Sequence, residues 1–276
     1  MKPEKRKNPL WQALYHKKRV LLSVVLTLVS VGTTSLVFAV QPLPYSAIIF
    51  DCDGVLVDTE YTKFLAWKEA LSHYGVSFTL EDYKAVLGNS SKRSMVLIMA
   101  AKKINLPAEK VIREKNEIYK KLHLKRTPKG IRPAVLLVRE LVKNKKALNI
   151  KLALASSPCK EEIMHNLKAV GLENAFDIII SGHDDLKDIH DPEGTNKPRP
   201  YIYQRAAKWL NVAPEKCLVF EDSSAGVVSA AQAGMTVFAV PNQYTQQQDF
   251  SHATRVLKSL SNFNIANNEE LTIPAR

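Results

Sequence analysis

Short apolar runs recur along the chain after residue 44. They lie at Ala47–Phe50, Lys151–Ala155, Asp177–Ser181, Cys217–Phe220 and Thr236–Val240. Each run has the length of one strand, is rich in Val, Ile, Leu or Phe, and lacks clean alternation with polar residues. Strands that are buried on both faces of a parallel sheet have this composition. The pattern therefore predicts a parallel sheet.

Helical patterns lie between the later runs, at Glu161–Val170, Tyr201–Leu210 and Ala225–Ala233. Each has apolar residues at helical spacing, and Gly171 and Gly234 follow two of them as C-caps. Alternation of strand and helix predicts a doubly wound α/β domain. Its ligand site is expected beyond the carboxyl ends of the strands.

The stretch 59–132 lacks such strands and predicts several helices inside the α/β pattern. These are Phe64–Tyr74, Leu80–Leu87, Arg93–Lys103 and Ala108–Leu122. We expect this insertion to form a mobile helical cap over the site, with hinges near Asp58–Tyr61 and Thr127–Pro133. The α/β core then comprises residues 45–58 and 133–250, and residues 251–276 form a C-terminal tail without an assigned function.

The N-terminal part has a different pattern. Residues 20–40 contain no charged side chain, whereas residues 1–19 contain seven lysines and arginines. A helix needs about 20 apolar residues to cross a membrane. The pattern predicts an N-terminal hydrophobic helix, residues 20–40, that anchors a single-pass membrane protein. The positive-inside rule places the basic tail in the cytoplasm and the α/β domain outside it.

Two alternatives remain open for residues 20–40. Small residues near Ala39 are compatible with a cleaved signal peptide and a secreted or periplasmic protein. The other alternative is a true start downstream, which makes the protein cytoplasmic. The run is longer than the usual apolar region of a signal peptide, which favours the anchor.

The overall composition excludes several classes of protein. The formal net charge is +12, but much of the excess lies before residue 20, and the remainder is only mildly basic. Basic and aromatic residues are not interleaved, so we expect no nucleic-acid partner, and no protein partner is evident. Cys52, Cys159 and Cys217 are widely spaced, which indicates neither a disulfide framework nor a zinc site.

The strongest chemical signal follows the first apolar run. Asp51 and Asp53 are two residues apart at the end of a predicted strand, and Gly54 follows them. Alternate residues of an extended chain point to the same side, so both carboxylates can face one pocket. One carboxylate can then act as a nucleophile while the other transfers protons.

The motif Phe50-Asp-Cys-Asp-Gly-Val-Leu-Val-Asp58 resembles the first motif of the haloacid dehalogenase (HAD) superfamily. Three further family motifs are matched in order by Ser156 after a strand, Lys197 in Asn-Lys-Pro-Arg-Pro, and the acidic pair Glu221-Asp222. The resemblance spans roughly residues 45 to 245. It implies a HAD-like Rossmannoid parallel-sheet core with an inserted helical cap, and a phosphoric monoester hydrolase.

The resemblance also implies a role for each motif residue. Asp51 forms an aspartyl-phosphate, and Asp53 first protonates the leaving oxygen and then activates water. Ser156 and Lys197 bind the phosphoryl oxygens. Mg²⁺ is held by the Asp51 carboxylate, the main-chain carbonyl of Asp53 and the Asp222 side chain, with Glu221 as a further candidate ligand.

The cap resembles the branch of the family that contains β-phosphoglucomutase and sugar-phosphate phosphatases. Mutases of that branch carry a His and an Arg where this chain has Lys63 and Ser91. This difference favours a phosphatase for a small phosphorylated metabolite over a phosphosugar mutase. A dehalogenase is a distant alternative, because the second aspartate of the motif, Asp53, is typical of family members that transfer phosphoryl groups and is not needed to displace halide. A non-catalytic, membrane-tethered binding module is also disfavoured, because no motif residue is lost.

Two further groups of polar residues attract attention. Candidate substrate contacts in the cap are Lys63, Asn89, Ser90, Lys92 and Arg93, although an exposed polar helix and loop explain them equally well. The acidic segment His183–Asp191 resembles a second metal site. We interpret it as a solvated loop, because no strand or helix fixes the geometry of its side chains.

Overall fold

The computed structural model describes residues 44–261, 263–264 and 269–270. Its main sheet has six strands in the order β5-β4-β1-β6-β7-β8, all parallel. The strands are β1 (Ala47–Phe50), β4 (Lys151–Ser156), β5 (Ile178–Ser181), β6 (Cys217–Glu221), β7 (Thr236–Ala239) and β8 (Arg255–Val256). The predicted α/β class with a parallel sheet is confirmed, and the first five strands lie at the predicted apolar runs.

Both faces of the central strands are buried, which explains why their sequences show no polar alternation. Ala47 and Ile49 of β1 belong to a cluster that is completed by helices α7 (Tyr201–Leu210) and α8 (Ser224–Gln232). On the alternate side of β1, the ring of Phe50 stacks on that of Phe220, with centroids 5.1 Å apart. The core therefore fixes β1 and β6 side by side.

Two more helices belong to this α/β part of the chain. They are α5 (Arg132–Leu148) and α6 (Lys160–Val170). The sequence analysis did not predict α5. Its C-cap, Asn149, has a positive φ of 51°.

A four-helix insertion follows β1. It contains α1 (Glu60–Ser72), α2 (Leu80–Val86), α3 (Ser91–Lys102) and α4 (Ala108–Lys125). The insertion has its own apolar core, which includes Phe64, Trp67, Met95, Ile98 and Val111. It is flanked by β2 (Val57–Asp58) and β3 (Lys129–Gly130), which pair antiparallel. A two-stranded connection thus joins the helical cap to the sheet.

The sheet continues beyond residue 250, into the segment that the sequence analysis assigned to a tail. The main-chain N–H groups of Thr254 and Leu257 donate to the carbonyls of Val237 and Ala239 on β7. This edge strand has only two residues and is exposed, so its sequence carries no apolar run. Separately, β9 (Phe263–Asn264) and β10 (Glu269–Glu270) pair antiparallel.

The predicted membrane location is corrected by the structure. Among residues 44–261, 263–264 and 269–270, no helix is both long enough and apolar enough to cross a bilayer. The longest described helix, α4, has 18 residues but carries charged side chains along its length. The predicted basic tail, residues 1–19, and the predicted hydrophobic helix, residues 20–40, lie outside the described residues.

Candidate active site

The carboxyl ends of β1, β4 and β6 meet at one edge of the sheet. Asp51 follows β1, Ser156 ends β4, and Glu221 ends β6. The register pairs Phe50 with both Leu154 and Phe220, so these polar residues lie next to one another. A cavity of about 790 Å³ opens above this edge, between the sheet and the cap. Its lining includes all the motif residues: Asp51, Asp53, Ser156, Lys197, Glu221 and Asp222.

Lys197 connects two of the carboxylates. Its Nζ lies 2.8 Å from Oδ1 of Asp51 and 2.5 Å from Oε1 of Glu221. The side chain is only 9% exposed, and its ammonium lies 5.0 Å from the centre of the Tyr203 ring. A buried lysine with two carboxylate partners remains charged, because their attraction outweighs the cost of desolvation. The pKa of Lys197 is accordingly raised well above its ordinary value.

Glu221 accepts hydrogen bonds at both of its carboxylate oxygens. The Tyr203 hydroxyl donates to Oε1 at 2.8 Å, in addition to the bond from Lys197. The N–H of Asp222 and the hydroxyl of Ser223 donate to Oε2 at 3.0 and 3.2 Å. A side chain at Gly226 would collide with this carboxylate, which explains the glycine in the first turn of α8. These contacts make Glu221 a positioning residue for Lys197 as well as a candidate metal ligand.

Asp222 lies against the first motif. Its Oδ2 accepts a hydrogen bond from Nδ2 of Asn242 at 2.8 Å. Gly54 has a φ of +85°, and a Cβ at that position would collide with the Asp222 carboxylate. Only glycine combines this conformation with such a close approach. The glycine that follows the two aspartates therefore allows the first and fourth motifs to meet.

The acidic group fits a divalent cation. Oxygen atoms of Asp51, Glu221 and Asp222 lie within 4.8 Å of one another, and all three residues are buried. Burial, together with Glu221 and Asp53, raises the pKa of Asp51 to about 7 although Lys197 opposes the shift. Burial, followed by repulsion from Glu221 and Asp51, raises the pKa of Asp222 well above its ordinary value. Three carboxylates against one lysine leave an excess of negative charge, which a hard cation with oxygen ligands would compensate.

The Asp53 side chain does not belong to this group and contacts cap helix α1 and core helix α6 instead. Its Oδ2 accepts a hydrogen bond from Lys63 at 2.9 Å, and its Oδ1 accepts one from Asn166 at 3.2 Å. Lys63 also donates to Glu60 at 2.9 Å, and Glu60 accepts a hydrogen bond from Tyr83 at 2.5 Å. Lys63, which was predicted as a substrate contact, lines the cavity, and its ammonium forms ion pairs with Asp53 and Glu60.

The other predicted substrate contacts have mixed positions. Asn89, Ser90 and Lys92 line the cavity, whereas Arg93 is exposed and does not. The side chain of Asn89 donates to the Val86 carbonyl, and that of Ser90 caps α3 by accepting from the N–H of Arg93. These contacts hold the loop before α3. Of this group, Lys92 presents an exposed charge at the mouth of the cavity.

The acidic segment after β5 caps a helix. Asp184 accepts a hydrogen bond from the N–H of Lys160 at 2.8 Å, and Asp185 forms an ion pair with the Lys160 ammonium at 2.6 Å. A carboxylate at the N-terminus of a helix is favourable on its own account. Hydrogen bonding to Lys160 and His183 strongly lowers the pKa of Asp184, which keeps it ionised.

Several residues of the site were not predicted. Lys115 of the cap lines the cavity between the rings of Trp67 and Tyr119, and burial lowers its pKa to about 8. Glu60 was recognisable in principle, because it lies one helical turn before Lys63. The remaining contacts come from distant parts of the chain and have no local sequence signal: Tyr83, Asn166, Tyr203 and Asn242.

Comparisons with known proteins agree with this geometry. A family model described as "Haloacid dehalogenase-like hydrolase" matches residues 48–240. The chain is 37% identical over 193 residues to the "Phosphorylated carbohydrates phosphatase" of Thermotoga maritima, covering 68% of this chain and 82% of that protein. It is 32% identical over 202 residues to the β-phosphoglucomutase of Bacillus subtilis, covering 70% of this chain and 81% of the mutase.

A solved structure has the same fold. CbbY from Rhodobacter sphaeroides in complex with xylulose-1,5-bisphosphate is 25% identical and superposes with a TM-score of 0.62, covering 79% of this chain and 96% of that chain. The family match extends from β1 through β7 and therefore includes every motif residue of the cavity. The chain belongs to the haloacid dehalogenase-like hydrolases and is a phosphoric monoester hydrolase of that family.

Proposed function

We propose that this enzyme is a Mg²⁺-dependent phosphatase that hydrolyses a small, sugar-phosphate-like metabolite through an aspartyl-phosphate on Asp51. One observation carries the proposal. The Asp51 carboxylate lies in the cavity, where it forms an ion pair with Lys197. The neighbouring carboxylates of Glu221 and Asp222 leave an excess of negative charge that a bound cation would compensate. A nucleophilic carboxylate next to a lysine, with acidic neighbours that can hold a cation, is an arrangement that suits phosphoryl transfer.

The first half of the reaction forms a covalent intermediate. An oxygen of Asp51 attacks the phosphorus in line, and the bond from phosphorus to the leaving oxygen breaks. Asp53 donates a proton to that oxygen, so the product leaves as a neutral alcohol. Lys197 and Ser156 donate hydrogen bonds to the phosphoryl oxygens, where negative charge is concentrated.

The second half returns the enzyme to its starting state. Asp53, now ionised, takes a proton from a water molecule, and the water oxygen attacks the phosphorus of the aspartyl-phosphate. The bond between phosphorus and Asp51 breaks, which releases inorganic phosphate. Asn166 and Lys63 both donate to Asp53, and these two bonds orient its carboxylate for proton transfer.

Mg²⁺ fits the acidic group on the grounds of charge and ligand type. Asp51 and Asp222 are the side chains best suited to hold it, with Glu221 close by and the Asp53 carbonyl as a main-chain ligand. When bound, the cation would neutralise charge on the phosphoryl group and on Asp51. It would also lower the pKa of Asp51, so that the nucleophile is ionised at neutral pH.

The substrate class rests on the relatives and on the cavity. The names of two relatives specify phosphorylated carbohydrates and a phosphoglucose, and the CbbY structure holds a sugar bisphosphate. The cavity of about 790 Å³ is large enough for such a molecule and has both polar and aromatic lining residues. A small phosphorylated sugar or related metabolite is therefore the proposed substrate.

A phosphosugar mutase is the second candidate, because a β-phosphoglucomutase shares 32% identity with this chain. A mutase must return the phosphoryl group to a second hydroxyl of the sugar before water intercepts it. This chain has Lys63 in contact with Asp53 where the mutases are expected to carry a histidine. We therefore favour the phosphatase.

Phosphate release by the full chain tests the proposal. The assay uses a generic aryl phosphate and a panel of sugar phosphates, with Mg²⁺ and with chelator, for the wild type and Asp51→Asn. We expect release that requires Mg²⁺ and that Asp51→Asn abolishes. Asp249→Asn is the matched control, because Asp249 is exposed and, within the described part of the chain, its side chain accepts hydrogen bonds from Ser251 in the same loop.

The other outcomes separate the alternatives. Conversion of a sugar phosphate to its isomer, without net release of phosphate, would identify the mutase. Phosphate release that survives Asp51→Asn would exclude Asp51 as the nucleophile. Complete inertness towards the whole panel would support a non-catalytic binding domain.

A further inference from the structure

The loop after β7, residues 240–250, passes beside the acidic group of the site. The first N–H of the loop donates to the main-chain carbonyl of Glu221 at 2.6 Å. Two residues further on, the Asn242 side chain reaches the acidic pair. Its Nδ2 donates to Oδ2 of Asp222 at 2.8 Å and, at a longer distance of 3.4 Å, to the carbonyl of Gly54. Asn242 lies outside the four motifs and has no role in the proposed chemical steps.

The partners of the Asn242 amide fix its orientation. Its Oδ1 accepts a hydrogen bond from the N–H of Tyr244 at 2.9 Å, and a main-chain N–H can only donate. On the other side, the carbonyl of Gly54 and an ionised Asp222 can only accept. The oxygen and nitrogen of the amide therefore cannot exchange places, and the NH2 group faces Asp222.

The loop that carries Asn242 is anchored at several points. The N–H of Asn242 donates to the hydroxyl of Thr245, a residue that is fully buried. Further along, Oε1 of Gln248 accepts a hydrogen bond from the N–H of Ser224 in the first turn of α8 at 2.8 Å. Nε2 of Gln248 donates to the carbonyl of Leu87 in the cap at 3.0 Å. The loop is thus fixed by contacts outside the acidic pair.

Asn242 binds only one of the two carboxylate oxygens of Asp222. That oxygen, Oδ2, is also packed against the first motif, where a Cβ at Gly54 would collide with it. Among the residues that the structure describes, Oδ1 of Asp222 accepts no hydrogen bond, and the side chain lines the cavity. Oδ1 is therefore the oxygen of Asp222 that remains for a cation.

A hydrogen bond of this kind is common around metal sites. Carboxylates that bind a metal are themselves held by hydrogen bonds from outer residues, and loss of such a partner typically lowers metal affinity by about 10- to 100-fold. The Asn242 amide is neutral. It can therefore orient Asp222 without cancelling the negative charge that attracts a hard cation such as Mg²⁺.

We propose that Asn242 is a positioning residue for the metal site, which binds Oδ2 of Asp222 and so directs Oδ1 towards the cation. The inference rests on the proposed function, because it assumes that Asp222 holds Mg²⁺. One consequence is that loss of the amide weakens binding of the cation. Another is that a saturating concentration of Mg²⁺ restores turnover, because Asp222 is then oriented by the cation that it binds.

Two variants separate the contact with Asp222 from the place of Asn242 in the loop. Asn242→Ser keeps a hydroxyl that can accept from the N–H of Tyr244, but its side chain is one bond too short to reach Asp222 as well. Asn242→Ala loses both contacts. Gln247→Ala is the matched control, because Gln247 is exposed in the same loop. Circular dichroism spectra in chelator show whether each variant is folded.

Binding of Mn²⁺ to the full chain without substrate is the first measurement, and it does not require activity. Mn²⁺ prefers the same oxygen ligands as Mg²⁺, and electron paramagnetic resonance counts the Mn²⁺ that stays free. We expect Mg²⁺ to displace the bound Mn²⁺. Binding should be about 10- to 100-fold weaker for Asn242→Ser and Asn242→Ala than for the wild type and Gln247→Ala. Asp222→Asn should also weaken it, which assigns the signal to the carboxylate site.

The Mg²⁺ dependence of phosphate release is the second measurement. The Mg²⁺ concentration that gives half of the maximal rate should rise in Asn242→Ser by the same factor as the dissociation constant. At saturating Mg²⁺, kcat should match that of the wild type. A residue that only stabilises the fold would leave the half-saturating concentration unchanged.

Two results would overturn the proposal. One is equal Mn²⁺ affinity of the wild type and both Asn242 variants, or a wild type without Mn²⁺ binding that depends on Asp222. The other is a loss of kcat in Asn242→Ser that saturating Mg²⁺ does not restore. Failure of the proposed phosphatase gives a different pattern. Asn242→Ser would then still weaken Mn²⁺ binding, which supports the positioning role, while no substrate of the panel releases phosphate.

Discussion

Substitution of Asp51 by asparagine should stabilise the metal-free protein while it abolishes activity. The folded protein buries the carboxylates of Asp51, Glu221 and Asp222 around a single ammonium, that of Lys197. Asparagine has nearly the same shape as aspartate and keeps an oxygen that accepts from Lys197. The substitution therefore removes a repulsive charge with little loss of packing.

The pKa of Asp51 gives the magnitude. Its ordinary value is 3.8, and in the folded protein the value is raised to about 7. At about 1.36 kcal/mol per pH unit, ionised Asp51 destabilises the metal-free fold by about 4 kcal/mol above pH ~7. The folded state binds this proton more tightly than the unfolded state, so stability falls as pH rises from about 4 to about 7. The increase in the free energy of unfolding that Asp51→Asn produces should therefore fall to about 1–2 kcal/mol near pH ~5.

Urea unfolding in chelator, at about pH 8 and about pH 5, measures this difference in the free energy of unfolding. Addition of Mg²⁺ should reverse the order, because the wild type gains binding free energy that the variant lacks. Asp249→Asn, on the exposed surface, should change stability little under all three conditions. The reasoning fails if Asp51→Asn is less stable than the wild type in chelator at the higher pH, or if the difference is independent of pH.

Three further substitutions test individual contacts. Lys63→Met should lower kcat by about 10- to 100-fold because Asp53 loses its cap partner. The control Lys84→Met removes a half-buried lysine of α2 that pairs with Glu81, and it should leave steady-state kinetics unchanged. Equal rates for both variants would exclude the Lys63 contact from catalysis. Ser156→Ala should lower kcat/KM by about 100-fold through loss of a phosphoryl contact, with an unchanged thermal unfolding midpoint. Gly226→Ala should destabilise the protein by about 2 kcal/mol in urea unfolding, because the added methyl group collides with the Glu221 carboxylate.

Much of the sheet could be predicted because its strands are buried on both faces. Ala47–Phe50 and Thr236–Ala239 stand out as apolar runs bounded by polar residues, and the structure places strands there. The two-residue edge strand Arg255–Val256 could not be found in this way. Both of its side chains are exposed, and its position depends on main-chain hydrogen bonds that leave no mark in the sequence.

In the site as well, residues with a local sequence pattern could be predicted, whereas contacts between distant parts of the chain could not. Asp51 and Asp53 could be proposed because their spacing places both at the end of one strand. That Lys63 would bind Asp53 could not be predicted, because the contact depends on how the cap docks on the sheet.

The location was the part of the sequence analysis that failed. A stretch of uncharged residues is compatible with an anchor, a signal peptide or an upstream extension, and local hydropathy does not distinguish them. The described residues contain no helix able to span a membrane. An argument from one segment, without support elsewhere in the chain, was too weak to assign a compartment.

The aspartyl-phosphate on Asp51 is the central claim, and trapping it is the most direct test. The full chain is mixed with Mg²⁺ and its best substrate, quenched in acid within one turnover, and digested for mass spectrometry. We predict one phosphoryl group on the peptide that contains Asp51, absent from Asp51→Asn and from a sample mixed with substrate in chelator in place of Mg²⁺. Rapid phosphate release with no phosphorylated peptide at any quench time, or with the phosphoryl group on a different residue, would contradict the account.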